Sequence, residues 1–181
     1  MEFGICFATP LWKVENKLST EQLTELQEWA LQHEKDNESL RVSNKGGYHG
    51  PFSNKFDQIP ALKLVLEQLE FLPRFAMKEW WVNINRKGNF NNAHIHAGYD
   101  LSLIWYLTDN NHSLRLEHPL AYSRDSFERA FGDAPFYNTW ATFDCKAGEI
   151  IIFPSDIMHS VAPHELDTPR ISIAMNISFL H

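Results

Sequence analysis

The chain has 181 residues with 44% apolar content, 13 Phe, 6 Trp and 5 Tyr, enough for a hydrophobic core and too apolar for a disordered segment. A formal net charge of -7 argues against general binding of nucleic-acid phosphates, and no run approaches the roughly 18 apolar residues of a membrane-spanning helix. The start, Met1-Glu-Phe-Gly-Ile-Cys-Phe7, lacks a basic region and a long apolar run, so a signal peptide is not expected. Cys6 and Cys145, the only cysteines, are far apart and read as free thiols, which together with the missing leader predicts a cytoplasmic protein.

In chain order, Phe3 to Leu11 reads as a short opening strand ending near Pro10. Ser19-x-x-Gln22 fits a capping box, and Leu23, Leu26 and Ala30 fall on one face of the helix it would start. Residues 36–58 look loop-like, with Gly46-Gly47 and Gly50-Pro51 as turn signals. A second helix is predicted from Pro60, carrying Leu62, Val65, Leu66 and Leu69 inward. Beyond Pro73 the composition turns to strands: Trp81 to Asn85, Leu101 to Leu107, Thr139 to Asp144, Glu149 to Phe153 and Arg170 to Phe179. Gly148 sits where a tight turn would join two of them, while Asp109 to Asn138 reads as irregular, with a helical piece over Ser126 to Phe131. There is no internal repeat. The pattern predicts a single domain over 1–181, mainly β with flanking α-helices: helices over about 19–69, then a double-sheet jelly-roll core over about 78–181.

The chemistry is concentrated in two segments. His94-Ile95-His96 places two imidazoles one residue apart, on the same side if the backbone is extended. His159, arriving from another strand, can complete one face of a metal's coordination sphere. Redox iron uses such a face and leaves other positions open. Here the set would be three neutral imidazoles, where two histidines and a carboxylate are more usual; Asp100, four residues past His96, is the alternative third ligand. The remaining histidines, His33, His49, His112, His118, His164 and His181, read as surface or hydrogen-bonded groups. Arg170 and Ser172, two apart on a strand, can hold one carboxylate near the metal. The strand that follows keeps Ile171, Ile173, Met175 and Ile177 on one face and Ser172, Ala174, Asn176 and Ser178 on the other, a polar face suited to a ligand cavity. Tyr106 can add a hydroxyl to the same carboxylate, and Trp105, Trp140 and Tyr48 are candidates for the pocket mouth.

Taken with Ser43-Asn-Lys-Gly-Gly47, Trp81-Val-Asn-Ile-Asn85, Lys87-Gly88, Asn92-Ala-His94-Ile-His96, Leu101-Ser102, Tyr106-Leu107, Gly148-Glu-Ile-Ile-Ile-Phe-Pro-Ser155, His159, Arg170-Ile-Ser172 and Asn176, the chain resembles the 2-oxoglutarate- and iron(II)-dependent dioxygenases, in particular their small bacterial and phage group. The matching pieces occur in the family's order from about residue 3 to 179. The resemblance implies a double-stranded β-helix of cupin-like form. It also implies Fe(II) on His94, His96 and His159, and 2-oxoglutarate held by Arg170 with Ser172. His96 departs from the aspartate or glutamate normal in the superfamily, so charge neutralisation would fall more to the dianionic co-substrate. The implied activity is hydroxylation of a small-molecule or peptide substrate with release of succinate and CO2, by a chain that could pair as a homodimer. Two other readings stay open: a three-histidine cupin-type dioxygenase that needs no 2-oxoglutarate, and a non-catalytic metal-containing jelly-roll binding module.

Overall fold

Helix α1 (Thr20–Asp36) starts where the capping box places it. The Gln22 N–H donates to Ser19 Oγ at 3.3 Å and the Ser19 N–H donates to Gln22 Oε1 at 2.9 Å, satisfying two donors that the first turn leaves open. Leu26 and Ala30 are fully buried, and the helix lies against the long strand β4 (Phe75–Asn85), with Trp29 5.8 Å from Trp80. Helix α2 (Leu62–Gln68) starts two residues later than Pro60, because Ala61 takes a left-handed conformation (φ 56°) that cannot belong to the helix. Val65 within it and Leu69 at its C-cap are the buried anchors. The computed structural model describes residues 9–121, 126, 128–130 and 138–180. Among these, no helix is long and apolar enough to cross a membrane.

The remaining strands are β1 (Trp12–Val14), β2 (Asn44–Lys45), β3 (Tyr48–His49), β5 (Phe90–His94), β6 (Leu101–Tyr106), β7 (Asn110–Glu117), β8 (Trp140–Cys145), β9 (Ile150–Pro154), β10 (His159–Val161) and β11 (Arg170–Phe179). They form two antiparallel sheets, a larger one in the order β1-β9-β6-β11-β4-β3 and a smaller one in the order β2-β5-β10-β7-β8. This is the expected jelly roll. The opening strand differs from expectation. Residues 3–8 lie outside the described residues, 9–11 are not extended in a ladder, and β1 instead pairs Trp12 with Ile152 and Val14 with Ile150. That register turns Trp12 and Val14 onto the helix-side core.

The stretch after Asp109 also differs, since β7 runs through its first part. Its sequence, Asn-Asn-His-Ser-Leu-Arg-Leu-Glu, is too polar to announce a strand, but Leu114 and Leu116 face inward between β10 and β8. Of the predicted helical piece, Ser126 and residues 128–130 are helical; 127 and 131 fall outside the described residues.

The two faces of the larger sheet do different work. Ile171, Ile173, Met175 and Ile177 of β11 join Val82, Ile84, Leu103, Trp105, Ile150 and Ile152 in a core covered by the helices. Because side chains alternate, the opposite face carries Arg170 beside Asn85, Ser172 between Asn83 and Tyr106, Ala174 between Trp81 and Ile104, and Asn176 between Glu79 and Ser102. This second face looks toward the smaller sheet. Tyr106, Ile151, Phe153, Leu114, Leu116 and Ile157 fill one end of the space between the sheets, and the rest stays open as the site. Gly148, in the turn between β8 and β9, has φ +90°, and a Cβ there would stand 2.1 Å from the Asn16 side chain. Its N–H donates to Tyr106 O at 2.7 Å, which closes the larger sheet at that corner.

Candidate metal centre

His94 ends β5 and His159 begins β10, and the two residues are direct partners in the antiparallel ladder. Partner residues place their Cβ atoms on the same side of a sheet at short range, so the register itself brings the two imidazoles together, with ring centroids 4.2 Å apart. The strand ends at His94, but the chain stays close to the sheet because the His96 N–H donates to Ser155 O at 2.8 Å. The His96 ring therefore joins the other two, 5.0 Å from each. One ligand nitrogen from each of the three lies within 4.8 Å of the others.

The hydrogen bonds around the rings prepare them for a cation. His94 Nδ1 is 2.7 Å from Asn92 O, and His159 Nδ1 is 2.9 Å from Ile157 O. A carbonyl only accepts, so in both rings Nδ1 carries the proton and Nε2 keeps its lone pair for a metal. Burial disfavours charge on all three. It lowers the pKa of His94; it takes His96 to about 4, helped by His94 and His49; and it takes His159 to about 3, helped by His94 and His96. The imidazoles are therefore neutral at neutral pH and able to serve as ligands. No hydrogen bond orders the His96 ring among the described residues; it packs instead against Trp81 at 5.2 Å, and Trp81 stacks on His49 at 5.5 Å with planes 9° apart. The donor set suits a first-row divalent ion such as iron, with one face of the ion left free.

Asp100 does not join them. Its Oδ2 accepts the Phe179 N–H at 2.8 Å, and its backbone N–H donates to Ile177 O at 3.0 Å, so it fastens the loop after His96 to β11.

Across the cavity from the imidazoles stands Arg170, 5% exposed. Its guanidinium makes one long hydrogen bond, from Nη2 to Ala162 O at 3.4 Å, and no carboxylate pairs with it among the described residues. Burial lowers its pKa, against a smaller opposing effect of Tyr106. Ser172 and Tyr106, ladder partners of one another, lie on the same face, and burial raises the Tyr106 hydroxyl well above its usual range, keeping it a neutral donor. The cavity is lined by all six predicted site residues.

Sequence reasoning missed Trp81, Asn83, Asn85 and Asn91, which line the same cavity. The signal was present, since Trp81, Asn83 and Asn85 alternate with apolar residues on β4. The three aromatics suggested for the mouth are elsewhere. Trp105 is fully buried in the helix-side core and donates to Gly148 O at 3.2 Å; Tyr48 is in that core beside His33; Trp140 is on β8 under the Arg115 guanidinium, 4.6 Å away. Cys145 is a buried free thiol whose pKa burial raises to about 12, and Cys6 lies outside the described residues.

A family model described as "Putative 2OG-Fe(II) oxygenase" matches residues 79–176, more than half of the chain. The chain belongs to this family. The enzyme is thus a 2-oxoglutarate- and Fe(II)-dependent oxygenase, and its fold agrees with solved structures of that kind. The epimerase SnoN from nogalamycin biosynthesis, described as non-heme and alpha ketoglutarate dependent, superposes with a TM-score of 0.71 at 15% identity, over 94% of this oxygenase and 79% of that chain. A Pseudomonas putida prolyl-4-hydroxylase gives 0.64 at 13% identity, over 96% and 94%. HygX from Streptomyces hygroscopicus, solved with nickel and 2-oxoglutarate bound, gives 0.63 at 10% identity, over 94% and 83%. At such identities the likeness is one of fold. No curated protein matches this oxygenase in sequence.

Proposed function

We propose that His94, His96 and His159 hold the Fe(II) of this oxygenase, and that Arg170, assisted by Ser172 and Tyr106, seats the far carboxylate of 2-oxoglutarate. One observation carries the reading: a buried guanidinium with no carboxylate partner among the described residues faces the same cavity as three converging neutral imidazoles. A buried cation is costly unless an anion completes it, and the planar guanidinium fork matches a carboxylate with two parallel hydrogen bonds. With three uncharged ligands the protein leaves both positive charges of Fe(II) uncompensated, and a dianionic co-substrate would balance them.

When bound, Fe(II), 2-oxoglutarate and O2 together supply an oxidant that hydroxylates a C–H bond, with release of succinate and CO2. The residues do the remaining work. Asn92 O and Ile157 O fix two ligand tautomers, and Trp81 and His49 wall in the His96 ring. Arg170 orients the co-substrate from the opposite sheet, while Tyr106 and Ser172 offer it hydroxyl donors. The apolar packing of Phe153, Ile151 and Leu114 keeps water from that end. We take residues 1–181 as one catalytic domain acting on a small-molecule or peptide substrate.

The test is anaerobic titration of metal-free protein with Fe(II) and then 2-oxoglutarate, followed in the visible spectrum, with succinate assayed on admitting air. A weak new charge-transfer band and slow succinate formation are expected. Tight Fe(II) binding with no response to 2-oxoglutarate would favour a three-histidine dioxygenase acting on a directly bound substrate. No iron binding would refute the assignment of the triad.

A further inference from the structure

His94 and His96 have a second side. Besides the inner cavity that holds Arg170, they border an outer hollow of about 320 Å³, walled by Val42, His49, Phe52, Glu79 and Ile95. Three large apolar side chains stand exposed around it: Val42 at 52%, Phe52 at 44% and Ile95 at 42%. Phe52 is fixed in place, since its ring meets His49 and Trp81 edge-on at 5.1 Å each. Its exposed surface therefore belongs to a rigid wall.

Into this mixed surround, which Ser43, Asn92 and the histidines also line, the larger sheet places one carboxylate, that of Glu79. It accepts the Asn176 amide, a neutral group, at 2.9 Å. No cationic side chain pairs with it among the described residues; Lys55 and Lys78 border the adjoining open hollow that Glu79 also lines, yet neither forms an ion pair with it. Asn176 is in turn locked by Ser102, which bonds Ser155, so the carboxylate is anchored from beneath by a buried polar chain. A held, half-buried carboxylate without a counterion, beside an open aromatic face, is complementary to an organic cation.

We propose that this outer hollow binds the substrate and selects a small amine, an apolar skeleton ending in an ammonium group, with Glu79 pairing the charge and Val42, Phe52 and Ile95 covering the carbon. A volume of about 320 Å³ suits a small molecule, not a folded partner. The identification of the occupant as substrate rests on the triad being the iron site; the binding itself does not.

The experiment is calorimetric titration of three probes of one skeleton, 2-phenylethylamine, 2-phenylethanol and 3-phenylpropionate, into metal-free protein and into anaerobic protein loaded with Fe(II) and 2-oxoglutarate. The amine is expected to bind at least about tenfold more tightly than the alcohol, a difference of about 1.4 kcal/mol, and the carboxylate most weakly. Glu79→Gln, which keeps an acceptor for Asn176, should erase the amine's advantage. Phe52→Ala, at an exposed rim position, should weaken amine and alcohol alike. Equal affinities, no binding by any probe, or an amine preference that survives Glu79→Gln would overturn the proposal. Amine selectivity in the metal-free protein supports the amine site whatever iron does, whereas failure of the iron titration would overturn the reading of the triad and, with it, the occupant's identification as substrate.

Discussion

Replacing Arg170 by methionine should move two quantities in opposite directions. Without co-substrate the guanidinium is 5% exposed with one 3.4 Å hydrogen bond and no counterion among the described residues, so it is a cost to the folded chain. A methionine of similar length fills the space without the charge, and should stabilise the free protein by about 1 kcal/mol, or about 2–4 °C in Tm for a chain of this size. The same change removes a desolvated, charge-assisted pair to 2-oxoglutarate, worth about 3 kcal/mol, so Kd should rise roughly 150-fold. Scanning calorimetry with and without 2-oxoglutarate, and anaerobic titration of the Fe(II) protein, read both effects. Metal affinity should not change, because Arg170 lies across the cavity from the imidazoles. Undiminished 2-oxoglutarate affinity, or a free protein whose Tm falls by several degrees, would refute the reasoning and make Arg170 a structural residue.

His159→Ala should abolish Fe(II) binding, whereas His96→Asp should retain it, since a carboxylate can serve at that position; metal analysis after dialysis decides, and loss of iron with Asp but not with Ala at position 96 would exclude His96 as a ligand. The metal-free protein should lose stability in acid. Burial lowers the pKa of His33, His49 and His94 below the ordinary 6.5, and takes His96 and His159 to about 4 and about 3. The unfolded chain then binds more protons, so stability is full above pH 6.5 and falls progressively as pH drops from there toward 3. A Tm that stays flat between pH 7 and 5 would contradict this. Gly148→Ala should destabilise by about 2 kcal/mol or more, from the left-handed φ and the contact with Asn16 together. Denaturant unfolding would read it, and a loss below 0.5 kcal/mol would show that the turn relaxes.

What could be read in advance followed the strength of the local signal. The bounds of β11 are those read from composition, because ten alternating residues with one apolar and one polar face admit a single arrangement. The capping box at Ser19 was equally local. β2, β3 and β10 are two or three residues long, shorter than any periodicity, and exist because longer neighbours offer them an edge. The same division holds in the site. The HxH pair, His159, Arg170 and Ser172 are chemically conspicuous and the structure brings them to one cavity. Trp105 and Tyr48 looked equally suited to a pocket, but which face of a sheet an aromatic takes depends on register, and the register of β6 and β3 sends both toward the helices.

With iron on the proposed ligands, the ladder pairing of His94 with His159 would make the metal site a staple for the smaller sheet. β10 contributes only three residues, all paired with β7, and its pairing with β5 is interrupted by a shift between His159 and Val161, so few backbone bonds fix it against β5. A slip of one residue there would turn the His159 ring to the outer surface of the sheet and dismantle the centre. An ion shared by both strands would forbid that slip. The metal would then serve as a mechanical part as well as a reagent, and a chain emptied of it should be held together least well where its chemistry is done.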